Sequence, residues 1–152
     1  MAERIVPVSG HLTWEPNAPE AVLLSDDHGR SILGLRAHSD DPDQRCVLFV
    51  WRDVHYAIMG DPNDEGLSGH RLYSRGLRDL MWLGVVDQSE LVNTLEKRNS
   101  VYPLHDPARF GQLVHHILLL KECAIEVVAR ELSVKRLEVP STRAAVVAAL
   151  DA

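Results

Sequence analysis

The chain has 152 residues, 45% hydrophobic and 25% charged, with a formal net charge of −6. That length suits one domain with its own core, residues 1–152, and is too short for two. The acidic balance argues against nucleic acid as a general partner, because phosphate neutralisation needs clustered Lys and Arg, and no apolar run is long enough for a membrane-spanning helix.

The opening MAERIVPVSG lacks the apolar stretch of a secretory signal. Cys46 and Cys123 stand in different hydrophobic segments and read as free thiols, so a cytoplasmic protein is expected. Residues 4–8 form a short β-like stretch, followed by the Pro/Asn-rich EPNAPE. Residues 21–25 and 31–37 are apolar runs around Asp26-Asp27-His28-Gly29-Arg30, which predicts a hairpin. The loop SDDPDQ (39–44) separates it from CVLFVWRDVHYAIM (46–59), whose Val, Phe, Trp, Tyr and Ile favour a strand. Strict alternation there puts Cys46, Leu48, Val50, Arg52, Val54, Tyr56 and Ile58 on the expected core face.

GDPNDEGLSG (60–69) ends that element. The apolar run 80–86 feeds a helix with Asp87 as expected N-cap, Glu90 completing a capping box and Asn99 as its stop. Asp106 and Pro107 open a short helical turn over 108–112. The segment QLVHHILLLKECAIEVVAR (112–130) is the most apolar of the chain. Its periodicity alone is ambiguous and its Leu and Glu would suit a helix, but Val and Ile on both sides of Lys121-Glu122 favour two strands. Residues 131–139 extend the sheet, and Ser141 caps a C-terminal helix over 142–150. The expected fold class is α+β: a mainly antiparallel β-sheet with one central helix and a short C-terminal helix. No Gly-rich phosphate loop or strand–helix alternation suggests a dinucleotide fold.

Three groups of residues can carry chemistry. In a hairpin centred on Lys121-Glu122, His116 faces the core opposite Val127, while His115 lies diagonally from Glu126 on the other face. The two histidines then cannot share a metal. His115 with Glu126 is the functional-looking pair, because a carboxylate can hold an imidazole for proton transfer; the plain alternative is a cross-strand ion pair. Asp53 and His55, two apart on a strand, form a second such pair, but no HExxH, HxH or CxxC completes a metal site. Third, His70, Arg71, Tyr73, Arg75 and Arg78 make a local basic group. On one helix Arg71, Arg75 and Arg78 would share a face suited to a carboxylate or phosphate, unless acidic neighbours neutralise them. No cofactor motif and no nucleophile stands out.

From FVWRDVHYAI through NSVYPLHDPARF to HHILLLKECAIEVVA, the spacing resembles an uncharacterised family of small bacterial proteins. The resemblance covers about residues 48–130, implies a single α+β domain with two strands over 112–130, and carries no activity or site residue.

The leading functional expectation is a small binding or accessory protein, of immunity type for example. It would engage a protein partner or small anionic ligand, with the acidic stretches 39–44 and 61–65 facing a basic partner. The alternative is a small acid–base enzyme, an isomerase, lyase or hydrolase, using His115 or His55 with Glu126 or Asp53 and an arginine anchor. A pocket uniting histidine, carboxylate and arginine separates the two. A third reading, a subunit of a homo-oligomer or larger assembly, calls for an exposed apolar patch around Trp51, Trp82 or the C-terminal helix.

Overall fold

A computed structural model describes residues 2–10 and 12–152. They form β1 (Arg4–Pro7), β2 (Val22–Ser25), β3 (Arg30–Leu35), β4 (Cys46–Gly60) and three 3-10 turns (Leu67–Gly69, Tyr73–Arg75, Leu77–Asp79). Then follow β5 (Gly84–Asp87), α1 (Glu90–Asn99), α2 (Pro107–Phe110), β6 (Val114–Leu119), β7 (Ala124–Leu137) and α3 (Thr142–Leu150). Among the described residues the strands make one seven-stranded antiparallel sheet, ordered β1-β5-β6-β7-β4-β3-β2.

The sheet dominates, and no helix is central. That corrects the expected fold class of a sheet with one central helix. The helix foreseen after residue 87 exists, but it is peripheral, and none of α1 is buried. Its sequence explains this, because Leu91, Val92 and Leu95 make only a thin apolar stripe among Glu, Asn, Thr, Lys and Arg. Asp87 is not its cap. It ends β5, opposite Arg4 of β1, and the N-cap is Ser89, whose Oγ accepts the Val92 N–H at 3.1 Å.

Two hairpins follow the sequence closely. Between β2 and β3 the Asp26 carboxylate accepts the backbone N–H groups of His28 and Arg30, both at 3.0 Å, and Gly29 supplies φ +79°. Between β6 and β7 the register pairs Leu118 with Ile125 and His116 with Val127, and the Leu120 N–H donates to Cys123 O at 2.8 Å. Residues 112–130 are therefore two strands.

In β4 the strict alternation fails. Asp53 takes φ +54°, and the register with β7 then shifts between Val54 and Tyr56, where His55 is the extra residue. Before this bulge both faces are buried. Val47, Phe49 and Trp51 join Trp14, Leu33, Leu118, Ile125 and Val127 on one side, while Cys46, Leu48 and Val50 pack with Ala145, Val146 and Ala149 of α3 on the other. Val54 just before the bulge and Ala57 just after it both pack with the Trp51 side. A single core face for all of β4 is thus overturned: residues 46–51 bury both faces, and the irregular backbone over residues 53–55 breaks the two-residue period so that Val54 joins the odd-numbered side.

The third core group positions the site. Leu72, Leu77 and Leu80, from residues 67–80, bury against Ile5, Val86 and Ile117. Gly76 allows the close approach: it has φ +113°, and a Cβ there would lie 2.9 Å from Ile5 O. No helix is long and apolar enough to cross a membrane among the described residues.

Candidate functional site

The centre of the site is Glu126 on β7. The β6–β7 register sets His115 opposite Val128 and Glu126 opposite Ile117, so the two side chains meet diagonally on one face. His115 Nε2 lies 2.9 Å from Glu126 Oε1. The other imidazole nitrogen, Nδ1, lies 2.7 Å from Ser89 Oγ at the start of α1. Burial of Leu72 lays residues 70 and 71 over the same face: Arg71 donates to Glu126 Oε1 at 3.1 Å and Oε2 at 3.5 Å, and His70 Nε2 stands 3.6 Å from Oε2. One carboxylate thus gathers His70, Arg71 and His115.

The electrostatics fix the direction of these bonds. Burial pushes the Glu126 carboxyl up, but hydrogen bonds from His115 and Arg71 and the Arg71 charge outweigh it and bring it down to about 2. An ionised carboxylate only accepts, so His115 Nε2 donates to it. With a neutral imidazole, Nδ1 is then the acceptor and the Ser89 hydroxyl the donor, while Ser89 Oγ also takes the Val92 N–H. His70 is held neutral chiefly by burial, which lowers its pKa, and its Nδ1 accepts the Leu72 N–H at 3.0 Å. Its Nε2–H therefore points toward Glu126.

Ser89 and His115 form one end of a cleft of about 580 Å³ between α1 and α2, walled by Val85, Val92, Phe110 and Leu113 among others. The His115 side chain is fully buried, so a molecule in the cleft meets the imidazole only through Ser89. Arg71 and Glu126 open instead on a smaller cavity of about 240 Å³, shared with Tyr56, Glu90 and Leu91. Glu3 completes the surroundings. Because Arg4 pairs with Asp87, Glu3 falls beside the start of α1, and its Oε2 accepts the Glu90 N–H at 2.7 Å.

The sequence-based candidates are only partly united. His115, Glu126, His70 and Arg71 converge. Arg75 instead donates to Glu3 O at 3.1 Å, and Arg78 is exposed. The three arginines do not share a helical face, because residues 67–79 are three separate 3-10 turns broken by Gly76. Tyr73 is half-buried on that segment. Asp53 and His55 do meet, at 3.5 Å, but share no hydrogen bond with the network; the His55 ring packs edge-on against Phe110, with ring centres 5.4 Å apart. His116 is half-buried on the Trp51 face of the sheet and accepts the Trp51 Nε1–H at 3.2 Å, while it is His115 that is buried. Among the described residues no three His, Cys, Asp or Glu side chains are grouped to hold a metal.

Sequence reasoning missed Ser89 and Glu3. A signal for Ser89 exists: the apolar stripe Leu91, Val92, Leu95 begins just after it, and Ser caps as well as Asp. Nothing local marks Glu3, which reaches α1 through strand pairing.

No family model matches the chain, and no curated protein or solved structure matches it.

Proposed function

We propose that the protein is a small hydrolase in which Ser89 is the nucleophile, His115 its base and Glu126 the group that holds the imidazole. The observation that carries this reading is the unbroken chain from Ser89 Oγ through His115 and Glu126 to Arg71, with Ser89 on the wall of a large cleft.

The Ser89 proton passes to His115 Nδ1 as Oγ attacks the carbonyl carbon of an ester or amide. Glu126 stabilises the imidazolium so formed, and that proton then leaves with the departing alcohol or amine. Water attacks the acyl-serine by the same route in reverse, returning the proton to Ser89. The nitrogens are used in the opposite sense to the familiar Ser-His-Asp arrangement, but both belong to one conjugated ring and the relay is equivalent. The Glu90 N–H, next to the nucleophile, is already taken by Glu3. The developing oxyanion therefore draws on the exposed amides of Gln88 and Asn93, which line the same cleft. Arg71 clamps Glu126 and is not a substrate anchor.

The test is labelling with a fluorophosphonate probe, together with turnover of p-nitrophenyl esters. Ser89→Ala is expected to abolish both, and His115→Gln to slow acylation on the order of 10²–10⁴-fold. An unlabelled wild-type protein, or a Ser89→Ala variant that reacts like wild type, overturns the proposal.

A second reading, a protein-binding role, is favoured by the loop between α1 and α2, where Val101 is 88% and Leu104 76% exposed. The acidic stretch 39–44 lends it less support, because Asp41 is occupied by the N–H groups of Asp43 and Arg45 and by the Arg45 side chain. Trp51 lends none, since it is fully buried. Replacing Val101 and Leu104 by Ser abolishes capture of a stoichiometric partner if this reading holds, and leaves ester turnover untouched.

A further inference from the structure

We infer that the cleft takes a substrate carrying a cationic group, an amine or guanidinium, which sits against Glu96 while the scissile carbonyl lies at Ser89. This inference rests on the hydrolase reading for the position of the carbonyl, but the charge argument stands on the cleft wall alone.

Among the described residues the only Asp, Glu, Lys or Arg side chains lining the cleft are Asp87 and Glu96. Asp87 already faces Arg4 at 3.5 Å. Glu96 is different. One of its oxygens, Oε1, takes His105 Nε2 at 3.1 Å, and Oε2 makes no hydrogen bond or ion pair among the described residues. His105 is itself fixed at Nδ1 by Asn99 Oδ1 at 2.7 Å, so the carboxylate is held in place by a braced imidazole. Phe110, whose ring centre lies 5.6 Å from that of His105, lines the cleft beside Glu96. A carboxylate with a free oxygen next to an aromatic ring is a good receptor for a cation.

The spacing sets the length of the substrate. Ser89, Asn93 and Glu96 recur every three or four residues and so lie along one side of α1. Seven residues of helix span about 10 Å. A carbonyl joined to an amine by a chain of about five or six methylenes, or a lysine- or arginine-like acyl group, covers that distance, with Val92 between the ends to meet the apolar part. An anionic substrate meets only repulsion. Of the arginines that suggested an anion in the sequence, Arg71 turns toward Glu126 and Arg75 toward the Glu3 carbonyl, and Arg78 is exposed and does not line the cleft.

The experiment uses three p-nitrophenyl esters of matched length, ending in an ammonium, a methyl or a carboxylate. They are tested on wild type and Glu96→Gln, a change that keeps a hydrogen-bond acceptor for His105. In parallel, binding of the corresponding non-hydrolysable amides to Ser89→Ala, with and without Glu96→Gln, is followed by NMR shift changes at cleft residues. The expected result is at least a ten-fold preference in kcat/KM for the ammonium ester over the methyl ester, falling below three-fold in Glu96→Gln, with the same loss of selectivity in binding. Turnover at Ser89 without charge preference overturns this inference and leaves the hydrolase standing. Charge-selective, Glu96-dependent binding without turnover overturns the hydrolase and leaves this inference standing. Neither turnover nor selective binding overturns both.

Discussion

Glu126 and His115 meet across the β6–β7 ladder as diagonal neighbours, 2.9 Å apart, and neither position alone makes a site. What turns the pair into a network is convergence from two other places in the chain: His70-Arg71 and Ser89.

Glu126 gives the fold an acid-sensitive element. Its carboxyl is held at about 2, against 4.5 for the free group, by hydrogen bonds from His115 and Arg71 that outweigh its burial. The folded value is depressed, so the stabilisation is fully present above the unfolded pKa and lost as the pH falls toward 2. At about 1.4 kcal/mol per pH unit it amounts to about 3 kcal/mol. Urea unfolding of wild type and Glu126→Gln between pH 6 and 2 is expected to converge at the acid end; parallel curves would contradict it.

His116 titrates in a different window. Burial, assisted by the charge of His115, brings it down to about 4 from 6.5. Its neutral form accepts the Trp51 indole N–H, which a protonated Nδ1 cannot do. The contribution is complete above pH 6.5 and lost as the pH falls toward 4. His116→Gln is expected to flatten the stability profile in that interval and leave the Glu126 window intact. Stability measured every half pH unit separates the two.

Glu3 anchors α1 from outside the helix. A charge-assisted bond to the Glu90 N–H at a helix N-terminus contributes about 1–2 kcal/mol. Glu3→Ala is expected to lower stability by that amount and speed amide exchange in the first turn of α1, with Glu3→Gln recovering about half. Unchanged exchange at Val92 and Asn93 would refute this.

Gly34 lets α3 lie close on β3. A Cβ there would stand 2.8 Å from Val146 Cγ2 and 3.0 Å from Thr142 O. Gly34→Ala is expected to cost about 1–3 kcal/mol. Adding Val146→Ala clears the side-chain clash but not the backbone one, so rescue should be partial in thermal unfolding.

The elements were legible wherever the signal was local. The Asp26–Arg30 turn, the Asp106 and Ser141 caps and the strand pair over 112–130 all stand as read, with Leu118 opposite Ile125. The face of β4 is not legible in the sequence because the register shift between Val54 and Tyr56 depends on pairing with β7, which alternation along one strand does not record. The helix cap was displaced by two residues because Asp87 and Ser89 are equally good caps. Only the pairing of Arg4 with Asp87 decided between them.

By itself, the sequence determined that this is an acidic, sheet-rich chain, that His115 and His116 point to opposite faces, and that His115 and Glu126 are diagonal neighbours. Those are consequences of a two-residue period and a short hairpin, both local. The tertiary structure alone decided that Ser89 completes the chain to the cleft, that Arg71 serves Glu126 while Arg75 serves Glu3, and that α1 is peripheral. Each of these joins residues far apart along the chain, and such contacts arise from strand order and the burial of Leu72 and Leu77, for which no local pattern exists.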